Sequence, residues 1–103
     1  MKILVLGDVM GASGRNALNK KLPGLIFNNE IDFVIVNGEN SADDGKGITQ
    51  DIAEEFFKIG VDAITSGNHI WDKQETVNYI NKENRLLRPA NIVEGSNGRG
   101  IEI

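Results

Sequence analysis

The chain has 103 residues, enough for one domain core that buries about two thirds of the unfolded surface. With 40% hydrophobic and 25% charged residues it has the composition of an ordinary globular domain, and its net charge of −4 excludes a general attraction to nucleic acid or an anionic membrane. The absence of cysteine excludes a disulfide framework and thiolate metal sites, and fits a reducing compartment, with the cytoplasm as the expected location.

Met1 to Leu6 is apolar but too short for a signal or membrane-spanning segment, and Gly7-Asp8 interrupts it at once. Lys2–Leu6 (KILVL) instead reads as a strand buried on both faces of a parallel sheet. The design recurs at Asp32–Val36 (DFVIV), closed by Asn37-Gly38, and at Val61–Thr65 (VDAIT), closed by Ser66-Gly67. Helices are predicted over Ser13–Leu22, Thr49–Ile59 and Asp72–Asn81. The second has the clearest signals, with Thr49 as N-cap, acidic residues in its first turns, Ile52, Phe56 and Ile59 on one face, and Gly60 as a stop. For the third, Asp72 stands three residues before Glu75, a capping-box spacing. Leu86–Val93 is expected to add an irregular or edge strand at Pro89, and Arg99–Ile103 to begin a further one. A β-α-β-α-β-α-β order with short connections makes this an α/β fold on a parallel sheet with right-handed crossovers, in one domain over residues 1–103.

Loops leaving the carboxyl ends of parallel strands share one rim, where ligand sites form. That rim collects Asp8 after the first strand, Glu39 and Asn40 after the second, and Asn68 and His69 after the third. Two carboxylates brought together in a dry site need a proton or a cation between them. Carboxylate, amide and imidazole donors suit Mn²⁺, Fe, Mg²⁺ or Zn²⁺, with Glu39, on the middle loop, best placed to bridge two ions. Singly, each motif has an ordinary alternative: Asp8 as a helix cap, Gly38-Glu39-Asn40 as a turn, and His69 as a solvated side chain. Their coincidence, each directly after its strand, favours the metal reading. Asp43-Asp44-Gly45-Lys46-Gly47 lacks both EF-hand spacing and the P-loop signature and reads as a mobile loop near the rim. Gly7, Gly11 and Gly14 depart from the dinucleotide fingerprint, and Asp8 would repel a pyrophosphate, which argues against a nicotinamide site.

Gly7-Asp8-Val9-Met10-Gly11, Asn37-Gly38-Glu39-Asn40, Gly45-Lys46-Gly47-Ile48-Thr49, Thr65-Ser66-Gly67-Asn68-His69-Ile70-Trp71-Asp72 and Arg88-Pro89-Ala90-Asn91 resemble the successive blocks of YmdB-like metallophosphoesterases of the calcineurin-like superfamily. The resemblance implies part of a four-layer α/β/β/α sandwich with two divalent metal ions, iron or manganese foremost, that hydrolyses small phosphodiesters such as 2′,3′-cyclic nucleotides. It implies Asp8 and Asn40 on one ion, Asn68 on the other, Glu39 bridging them, and His69 as proton donor. The family's later Gly-His and His-x-His ligands have no counterpart, since His69 is the one histidine. A C-terminally truncated domain is therefore expected, with an uncovered apolar sheet face that favours self-association or pairing with a separate C-terminal half. The alternative reading is a catalytically inactive binding or assembly module.

Overall fold

The computed structural model describes residues 1–103. Strand β1 (Ile3–Leu6), helix α1 (Gly11–Asn29), β2 (Phe33–Asn37), α2 (Gln50–Lys58), β3 (Ala63–Thr65), a 3-10 turn (Asn68–Trp71) and α3 (Gln74–Tyr79) follow in that order. The strands form a parallel sheet in the order β1-β2-β3, with Val5 opposite Ile35 and Ile35 opposite Ala63. Because every right-handed crossover steps to the next strand in the same direction, α1 and α2 fall on one face. Leu18 and Leu22 of α1 and Ala53 and Phe56 of α2 pack there with Val34, Val36 and Ile64 of the sheet. The opposite face has no helix. Ile3, Val5 and Phe33 on it are 54%, 67% and 37% exposed, the uncovered apolar face expected from the sequence.

Helix α2 begins as predicted, with the Ile52 N–H donating to Thr49 Oγ1 at 3.2 Å. Helix α1 runs seven residues beyond the predicted stop at Leu22, continuing through Pro23. A proline inside a helix costs about 3 kcal/mol in lost hydrogen bonding and ring clash. Burying Leu18, Leu22 and Ile26 on the sheet offsets that, and the helix ends at Glu30, whose left-handed backbone lets its N–H reach the Ile26 and Phe27 carbonyls.

The predicted strand at 86–93 is reduced to one parallel bridge, Ile64 with Leu86. The ladder stops because its next groups are engaged elsewhere. The Ser66 hydroxyl donates to the Leu87 carbonyl, the Arg88 N–H donates to the Arg99 carbonyl, and Pro89 has no N–H. Residues 99–103 form no strand; their main tie is that Arg88–Arg99 bond at 3.0 Å, and Glu102 and Ile103 come to lie beside Phe33, Ile35 and Leu87. The capping box is also overturned. Lys73 occupies the N-cap of α3, and Glu75 instead accepts from the Gln50 N–H at the start of α2 at 3.0 Å. No helix is long and apolar enough to cross a membrane.

Candidate metal-binding rim

Each candidate residue sits just past the carboxyl end of a strand. After β1 the backbone turns sharply at Asp8, whose φ of 43° is unusual for a non-glycine residue. Two backbone bonds hold this turn on the loop after β2: Val9 N–H to the Asn37 carbonyl at 3.2 Å and Gly11 N–H to the Asn40 carbonyl at 2.9 Å. The Asn40 amide Nδ2 then donates to Asp8 Oδ1 at 2.9 Å, joining side chains 32 positions apart. Asp8 is thus not a cap for α1, whose N-cap is Met10 with no side-chain bond.

The loop after β2 is pulled against β3 by Gly38, whose N–H donates to the Thr65 carbonyl at 3.0 Å. A side chain at Gly38 would crowd Ile48 and Ile64 and push them aside by a few tenths of an ångström. Ser41, fully buried, donates from Oγ to the Gly38 carbonyl at 2.7 Å and locks the turn. Nothing in the spacing singled out Ser41. Its role depends on a carbonyl turned inward by the fold. Glu39 consequently presses against Gly67: a Cβ at Gly67 would overlap the Glu39 carboxylate. That places the carboxylate one residue from Asn68, which is exposed at the start of the 3-10 turn.

His69 follows, about one third exposed, with Nδ1 2.9 Å from Asp72 Oδ2. The segment 43–47, expected to be mobile, is tethered at both acidic residues. Arg15 donates to Asp43 Oδ1 at 2.7 Å and to the Ser41 carbonyl at 2.6 Å, and Lys73 pairs with Asp44 at 2.8 Å. The Lys73 hydrogen bond, helped by the Lys46 N–H, holds the Asp44 carboxyl below its usual range.

The rim therefore joins Asp8 to Asn40 directly and Glu39 to the Gly67-Asn68 backbone. It does not gather three or more His, Cys, Asp or Glu side chains at any one point. With one Asn40 N–H spent on Asp8, the free oxygens are the amide Oδ1, Asp8 Oδ2 and the Glu39 carboxylate. Hard oxygen donors of this kind fit divalent Mn, Fe or Mg.

A family model described as YmdB-like protein matches residues 4–103. The chain belongs to the YmdB-like family. It is 46% identical over 101 residues to a Bacillus subtilis protein named 2′,3′-cyclic-nucleotide 2′-phosphodiesterase, covering 98% of this chain and 38% of that protein. Among solved structures, one titled a novel phosphatase from Mycoplasma pneumoniae is similar with a TM-score of 0.88 and 35% identity, over 97% of this chain and 37% of the other. A hypothetical protein from Thermus thermophilus is similar with a TM-score of 0.87 and 35% identity, over 100% of this chain and 40% of the other. The chain thus spans less than half the length of each of these three proteins.

Proposed function

We propose that this chain carries part of the metal site of a phosphodiesterase that hydrolyses small phosphodiesters of the 2′,3′-cyclic nucleotide class. The observation that carries the reading is the Asn40–Asp8 side-chain bond across the rim, with Glu39 packed on Gly67 beside Asn68 and His69. The name of the Bacillus relative supports the substrate class. Asp8 and Asn40 would hold one divalent ion, Asn68 the other, and Glu39 would bridge them. Iron or manganese suits the set best, and magnesium or zinc is compatible. When bound, such ions neutralise phosphate charge and acidify the attacking water. His69 holds a proton at Nε2, the ring nitrogen turned away from Asp72, and gives it to the leaving oxygen as the P–O bond breaks.

The bare sheet face, in this reading, receives the second sheet of a four-layer sandwich, which residues 1–103 do not contain, or is covered by a second copy of the chain, in the cytoplasm. The second reading, a non-catalytic assembly module, is favoured by one observation: no three ionisable ligand side chains converge.

Complementation separates the two. The chain is mixed with the C-terminal part of the Bacillus relative and Mn²⁺ or Fe²⁺, and hydrolysis of a simple phosphodiester is followed. Phosphodiesterase function predicts metal-dependent turnover that His69→Ala abolishes. A well-folded pair with no turnover and no metal bound near stoichiometry, alongside a stable oligomer, establishes the assembly module instead.

A further inference from the structure

We infer that Asp72 is the positioning residue for His69: it fixes the imidazole with its proton on Nδ1 and leaves Nε2 as the nitrogen that exchanges a proton. In a 3-10 helix, residues i and i+3 eclipse one another. The 3-10 bond from the Asp72 N–H to the His69 carbonyl, at 3.0 Å, sets the two side chains side by side. Their meeting at 2.9 Å follows from backbone geometry rather than from a chance surface encounter.

The neighbouring segment holds that geometry. Gly47, in a left-handed conformation at φ 82° that side chains rarely adopt, lies against the His69 carbonyl, the Asp72 Cβ and the Lys73 side chain, where an added Cβ would crowd all three. Lys73, the next residue in the chain, pairs with Asp44, and the one side-chain partner of the Asp72 carboxylate is the His69 ring. Asp72 is also free of any capping duty, since Lys73 is the N-cap of α3. What remains for the carboxylate is the imidazole.

A carboxylate accepts only, so the Nδ1 facing it must carry the proton. When the doubly protonated ring releases its Nε2 proton to a leaving oxygen, the neutral ring keeps the other proton on Nδ1, bonded to Asp72. Without Asp72 the ring can turn or settle in the opposite tautomer, and Nε2 is no longer reliably the group that exchanges the proton.

The catalytic consequence rests on the phosphodiesterase reading, and the contact itself does not. Because the chain has one histidine, a long-range ¹H–¹⁵N spectrum of the labelled chain shows a single pair of ring nitrogens. With the ring neutral, the expected result is a protonated Nδ1 and a bare Nε2. Asp72→Asn should lose that single-tautomer pattern with its amide spectrum otherwise preserved, and Asp72→Glu should recover part of it. A proton on Nε2 in the wild type, or a pattern indifferent to Asp72→Asn, overturns the inference. In the complementation assay Asp72→Asn should lower kcat about 10- to 100-fold with KM little changed; an unchanged kcat overturns the positioning role. Absence of turnover in the wild-type pair, with the tautomer and its Asp72 dependence intact, overturns the phosphodiesterase reading and leaves the contact standing.

Discussion

The two faces of the sheet use the same strands and similar residues and meet opposite fates. On the helix side Val34, Val36 and Ile64 are at most 1% exposed, whereas on the other side Ile3 and Val5 are more than half exposed. Both sets come from continuous apolar runs of the kind that parallel strands use when covered on both faces. Apolar side chains thus occupy both faces of the sheet, and the helices of residues 1–103 cover one of them.

The largest loss of stability is expected on the covered side. Phe56 is 1% exposed in the α2–sheet core, and Phe56→Ala should remove about 3–5 kcal/mol of stability, read by urea or thermal denaturation. A loss under about 1 kcal/mol would mean that the helix layer does not carry the fold.

Tyr79 probes the same layer through pH. Burial, reinforced by the charges of Glu83 and Glu54, pushes its hydroxyl up to about 12 from the ordinary 10.0. A raised folded value favours the neutral form, so the contribution is complete below pH 10 and is lost as pH rises towards 12. Denaturation midpoints should fall across that window. Tyr79→Phe should abolish the fall while changing neutral-pH stability by no more than about 1 kcal/mol, because the buried hydroxyl has no hydrogen-bond partner to lose.

The smallest effect is expected on the bare side. Val5→Thr should shift stability by no more than about 0.5 kcal/mol, since Val5 is already 67% exposed. Light scattering should show weaker self-association for this variant than for the wild type. A monodisperse wild-type monomer that binds no apolar dye would remove self-association as the cover for this face.

Much of the fold was legible because its signals are local. An apolar β-branched run closed by turn residues at 32–38 and again at 61–67 needs no distant information to read as a strand and its exit. The rim positions of Asp8, Glu39, Asn40, Asn68 and His69 followed from strand order, and the structure puts all five at strand exits. Errors arose where a residue had several partners to choose from. Asp72 and Glu75 have capping-box spacing, yet each binds a group that the fold brings near, Asp72 the His69 ring and Glu75 the Gln50 N–H. The spacing states that a cap is available. It cannot state that a better partner is close.

By itself, then, the sequence determined the three strands, their parallel α/β arrangement and the rim on which the polar residues fall, since hydrophobic periodicity and turn chemistry act over a few residues. Only the tertiary structure decided that α1 runs through Pro23, that the fourth strand stops at one bridge, and that Asp72 faces His69. Each of those outcomes is a competition, of core burial against a lost helix bond or of one hydrogen-bond partner against another. The winners are set by groups distant in sequence that become neighbours when the chain folds.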